Sequence, residues 1–165
     1  MDFKKIIDGS KLPIVIAFVF NIALFAILYL TSSYLSKSLD STIILILMLI
    51  NYGLSYLGNF LIYAYTGYRS GKKFGATALE GALTTAFTFF VVCTIYTIIS
   101  TLVTLVTFGS LFSNNTEASL PFFATMGIIS LGTSLVYYSM TLVAGLIVNL
   151  VIGGLCAYWA SRKWY

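Results

Sequence analysis

The stretch LPIVIAFVFNIALFAILYL, Leu12 to Leu30, decides the fold of this chain. It carries no charged residue, and about twenty apolar residues rising 1.5 Å each are what a helix needs to cross a hydrocarbon core. Inside a bilayer no water is available to backbone groups, so such a run must satisfy its own hydrogen bonds as a helix or join a closed barrel. The apolar residues are continuous rather than alternating, which selects a helix. Lys4, Lys5 and Lys11 precede the run, as in a secretory leader. The run is longer than the roughly 7–15 residues of a cleavable core, and Thr31-Ser32-Ser33-Tyr34 offers no small-residue cleavage site. A retained first span is expected, with Ser10 as N-cap and Pro13 at the start of the helix.

Working outward, three further apolar segments follow. The spans are expected at about 12–34, 42–68, 81–108 and 138–160. A polar link, Ser36 to Ser41, separates the first two. Arg69, Lys72 and Lys73 close the second, Glu80 precedes the third, and Ser113-Asn114-Asn115-Thr116-Glu117 follows it. The remaining apolar region, Leu120 to Ala160, is too long for one span and barely enough for two. Residues 121–136 are therefore expected as an interfacial or re-entrant helix, or as an extension of the last span. A fifth span is the competing arrangement. Charge favours four: Lys4, Lys5, Lys11, Arg69, Lys72, Lys73, Arg162 and Lys163 then all face the cytoplasm, leaving Lys37 outside. Tyr63, Tyr65, Tyr68, Tyr158, Trp159, Trp164 and Tyr165 group at that same face, where interfacial aromatics belong. The expected fold class is all-α: a polytopic transmembrane helical bundle, residues 1–165 as a single integral membrane domain, in the cell membrane with both termini cytoplasmic.

Composition agrees. The chain is 59% hydrophobic and 8% charged, with a mean hydropathy of +0.98, far from that of a soluble domain. The net charge of +4 sits in clusters at the ends of apolar runs, which reads as topology and not as a nucleic-acid surface. Cys93 and Cys156 lie inside apolar segments without paired spacing and read as small buried residues.

The second and fourth spans share a pattern. Asn59-x-x-Ile62, Gly67-Tyr68 and Lys72-Lys73-Phe74 stand against Asn149-x-x-Ile152, Ala157-Tyr158 and Arg162-Lys163-Trp164. Asp8-Gly9 before the first span and Glu80-Gly81 before the third match more weakly. The chain thus reads as two tandem hairpins in the same orientation. Small residues recur four apart at Ser55, Asn59, Gly67, Gly71 and Gly75, and again at Gly145, Asn149, Gly153, Ala157 and Ser161. Spacing of four holds them on one helix face, where two backbones can approach closely. These faces are expected to pack α-helix on α-helix, within the fold or between subunits.

Candidate chemistry is sparse. There is no histidine, and the five carboxylates, Asp2, Asp8, Asp40, Glu80 and Glu117, lie near span ends or in loops. Metal and nucleophile signatures are missing, so an enzyme is not expected, nor is a cofactor. No ionisable residue falls at a membrane midplane, where proton-coupled transport would need one. Asn59, Asn149 and a threonine line, Thr94, Thr97, Thr101 and Thr104, are the candidate polar path, or else packing contacts. Asn114-Asn115-Thr116 is a glycosylation sequon.

The glycine-rich helix end with a basic turn, Gly67-Tyr68-Arg69-Ser70-Gly71-Lys72-Lys73, resembles those of small uncharacterised prokaryotic four-span membrane proteins. That resemblance implies no activity and no site residue. The first span also lacks the membrane glutamate of the small multidrug transporters and offers Asn21 instead. The expected role is that of an accessory or structural membrane subunit, or a homo-oligomer, whose partners are the lipid bilayer and other membrane chains. The alternative is a channel or facilitator for a small or neutral solute.

Overall fold

In the computed structural model every regular element is a helix. The structure describes residues 1–34, 41–112 and 120–162, though not the side chains of 31–34, 41, 104, 105, 107–112, 120–126 and 130. The elements are α1 (Phe3–Tyr34), α2 (Ser41–Phe74), α3 (Ala78–Phe112) and α4 (Leu120–Ser161). Each includes a segment long and apolar enough to cross a membrane.

Helix boundaries differ from expectation in all four helices, α3 running over Ala78–Phe112 rather than 81–108. Helix α1 starts at Phe3 because Asp2 caps it, its carboxylate accepting the Lys4 amide at 3.0 Å. Ser10 is therefore inside the helix, donating to the Ile7 carbonyl at 2.8 Å, and Pro13 is an interior residue. Helix α2 continues past Tyr68 to Phe74 and stops at Gly75, whose φ of 59° is the left-handed conformation a glycine adopts without steric cost. The Ala76 amide returns to the Ser70 carbonyl at 3.2 Å and helps close that end. Residues 121–136 form neither a separate interfacial helix nor a re-entrant one. They are the first turns of α4, an extension of the last span, in a helix of 42 residues. Pro121 sits in its first turn, where a missing amide hydrogen is harmless, and no further proline interrupts the helix beyond it.

The helices pack as a rhombus. Helices α2 and α3 touch each other and both outer helices, whereas α1 and α4 do not meet among the described residues. At one end of the bundle the start of α1, the finish of α2, the start of α3 and the finish of α4 come together. The interior there is built of small and hydroxyl side chains: Ser10, Ala17, Thr66, Ser70, Thr84, Thr85, Thr88 and Ala157. Large apolar residues face outward, among them Leu49, Tyr56, Val106, Tyr137 and Met140. This inverts the arrangement of a soluble domain. Lipid is as apolar as leucine, so such helices gain little by hiding leucine and more by close backbone approach.

Candidate functional site

Where α2, α3 and α4 meet, glycines set the spacing. A Cβ placed on Gly67 of α2 would stand 2.5 Å from the Gly153 carbonyl oxygen and 2.7 Å from its Cα on α4. One on Gly71 would stand 2.5 Å from the Ala157 oxygen. From α3, Gly81 lies against the Ala157 methyl, and Gly153 in turn against the Thr85 side chain. Gly145, further along α4, faces the Phe89 ring. A methyl group at Gly67 or Gly71 meets backbone and needs the helices to separate, whereas one at Gly145 needs the Phe89 ring to move. Gly75 differs from the glycines of the seam: it lies beyond the end of α2 with nothing within 4 Å of a built Cβ, so it terminates the helix, and its carbonyl accepts from Lys5 Nζ at 3.4 Å.

Beneath this seam lies a layer of buried hydroxyls. Thr66, Ser70, Thr84, Thr85 and Thr88 are fully enclosed. Thr66 donates to the Ile62 carbonyl at 2.7 Å, Thr84 to Glu80 at 2.7 Å, Thr85 to Gly81 at 3.0 Å and Thr88 to Thr84 at 2.8 Å, each within its own helix. Ser70 and Thr84 bridge α2 and α3 at 3.3 Å. The spacings Thr66-x-x-x-Ser70 and Thr84-x-x-x-Thr88 were visible in the sequence, but composition alone did not distinguish them from the threonines deeper in α3.

The same end is tied to α1. Glu80 accepts the Thr77 amide at 2.9 Å while the Glu80 amide donates to the Thr77 hydroxyl at 3.3 Å, a reciprocal capping box that starts α3. The second Glu80 oxygen accepts the Asp2 amide at 2.8 Å. Arg69 donates to the Gly9 carbonyl at 3.1 Å.

The asparagines form a different set of contacts. Asn59 does not meet Asn149: it exchanges two hydrogen bonds with Asn21 of α1, at 3.0 and 3.1 Å. Each amide also donates to its own helix, Asn21 to Ala17 at 2.7 Å and Asn59 to Ser55 at 2.9 Å. Asn149, buried on α4, donates to Gly145 at 2.8 Å. Asn51 reaches the Leu24 carbonyl at 3.3 Å. Thr94 donates to Phe90 and shares a hydrogen bond with Tyr138 of α4, both at 2.8 Å. Thr97 donates to Cys93 at 2.8 Å, and Thr101 is half-buried. The Thr104 side chain, Asn114, Lys37 and Lys163 lie outside the described residues. A cleft between α1 and α3, lined by residues including Phe18, Asn21 and Tyr96, measures about 30 Å³, room for a water or two.

Four long apolar helices held by small residues and internally bonded polar groups define the class: an all-helical chain with the spans of a multi-pass membrane protein. Searches for likeness return nothing further, since the chain matches no protein-family model, no curated protein and no solved structure.

Proposed function

We propose that this chain is a small integral membrane protein without catalytic activity that works through helix packing, as an accessory or structural subunit of a membrane complex or as a homo-oligomer. One observation carries the reading: among the described residues, every buried side-chain nitrogen and oxygen has a hydrogen-bond partner inside the chain. Polar groups that serve a solute must exchange partners with it, whereas groups that hold helices together are saturated at rest. Asn59 is of the second kind, as are Thr94 and Thr97, and Asn149 donates within its own helix, which weakens the alternative of a facilitator for a small neutral solute.

The topology belongs to the same proposal. Two tandem hairpins with both termini in the cytoplasm put Lys4, Lys5, Arg69, Lys72, Lys73 and Arg162 on one side. The repeat is supported by a shared device, a tyrosine followed four residues later by a hydrogen-bonded cation, at Tyr68–Lys72 and Tyr158–Arg162.

Because Gly67, Gly71, Gly153 and Ala157 are occupied within the chain, a partner would meet other faces, such as the exposed side of α4 around Tyr137 and Val151. Photoreactive residues at those two positions, activated in native membranes, test this. Discrete protein adducts are expected, either with a second copy or with a partner of defined mass. Lipid adducts alone at both positions, combined with solute release from vesicles holding the purified chain, would overturn the reading.

A further inference from the structure

Helices α2 and α4 end side by side, and each ends in a tyrosine–cation pair. Lys72 donates from Nζ to the Tyr68 hydroxyl at 2.9 Å and lies 5.3 Å from the centroid of that ring. Arg162 donates from Nη2 to the Tyr158 hydroxyl, with its Cζ 4.6 Å from that ring's centroid. The two pairs are joined by Tyr68 and Trp159, whose ring centroids are 6.0 Å apart. Lys72, Arg162, Tyr158 and Trp159 are exposed.

Among the described residues neither cation has a carboxylate partner: the ion pair found there is Lys11 with Asp8, and the oxygens of Glu80 are taken by Asp2 and Thr77. A tyrosine hydroxyl uses one donor and cancels no charge, so the ammonium and the guanidinium both keep further N–H groups for an anion. The aromatic rings around them are the type that settles at headgroup depth. We propose that Lys72 and Arg162, framed by Tyr68, Tyr158 and Trp159, bind the headgroup phosphate of an anionic phospholipid. This goes beyond the assembly reading and does not depend on it.

The test uses the full chain in bilayers of equimolar phosphatidylglycerol and phosphatidylcholine, with the co-purifying lipid identified by native mass spectrometry. Phosphatidylglycerol is expected to be enriched on the wild type, and the enrichment to fall about fivefold for each cation removed in K72Q/R162Q. It is expected to persist in K72R/R162K and in K4Q/K5Q, which alters α1, a helix that does not touch α4. Absence of enrichment on the wild type overturns the proposal, as does an equal fall in K4Q/K5Q, which would mean a diffuse field and no site. Displacement of the lipid by an equal concentration of inorganic phosphate overturns the lipid assignment. Photoreactive phosphatidylglycerol on the wild-type chain gives a check independent of any variant's folding: adducts are expected on segments 68–72 and 158–162, and adducts spread evenly over the N-terminal lysines contradict the proposal.

Discussion

Arg69 donates from Nη1 to the carbonyl of Gly9, and that carbonyl is the one Pro13 leaves without a helical partner. In an α-helix the residue four positions on returns its amide hydrogen, and proline has none. A proline inside α1 is thus tolerated because a side chain from the end of α2 takes over the freed oxygen. Arg69→Ala is expected to destabilise the chain by about 1–3 kcal/mol, the cost of an unsatisfied part-buried carbonyl. In a Pro13→Ala background the same substitution should cost much less, because alanine restores the missing amide hydrogen. Thermal unfolding of the four proteins in one detergent gives the cycle. Equal Arg69→Ala losses in both backgrounds contradict the pairing.

The Asn21–Asn59 exchange predicts a second coupling. Asn21→Leu and Asn59→Leu are each expected to lower stability by about 0.6–2 kcal/mol, and the double variant by little more than either alone. Strict additivity in an unfolding assay would mean the two amides act independently.

Glycines on the same helix should behave in opposite ways. Gly67→Ala drives a methyl into the Gly153 backbone, and separating α2 from α4 is expected to cost about 1–3 kcal/mol. Gly53 has nothing within 4 Å of a built Cβ, so Gly53→Ala is expected to gain up to about 1 kcal/mol from helix propensity alone. Similar effects at the two positions would contradict the close α2–α4 approach.

The capping box makes a local prediction. Thr77→Ala is expected to cost about 1 kcal/mol. Glu80→Gln keeps the shape but weakens the charge-assisted bonds to Thr77 and Asp2. Amide hydrogen exchange should accelerate at the first turns of both α1 and α3 in Glu80→Gln. Acceleration confined to α3 would show that the Asp2 contact holds nothing.

Four long helices were legible because uninterrupted apolar runs leave the backbone no other option. The spacing of Gly67 and Gly71 against Gly153 and Ala157 is likewise a sequence pattern, and the structure brings these residues together. Helix ends were less legible. Ser10 and Asp2 are both good caps, and only the Lys4 amide at the Asp2 carboxylate decides between them. Gly75 keeps the four-residue rhythm, yet a rhythm carries no information on φ, and its positive φ makes it a terminator. Partners across helices were not legible at all. Asn59 and Asn149 share a local sequence context, but α1 lies beside α2 and not beside α4, so only Asn59 finds a second asparagine.

On the proposed function, the buried polar groups hold helices together and conduct nothing. Its most direct test is a paired measurement on Asn59→Leu and the wild type, each reconstituted as the full chain: release of a small neutral solute from vesicles, and thermal unfolding in the same lipid. Wild-type vesicles are expected to be as tight as protein-free ones, and Asn59→Leu to unfold at a lower temperature. Solute release by the wild type that Asn59→Leu abolishes, with the unfolding temperature unchanged, would contradict it.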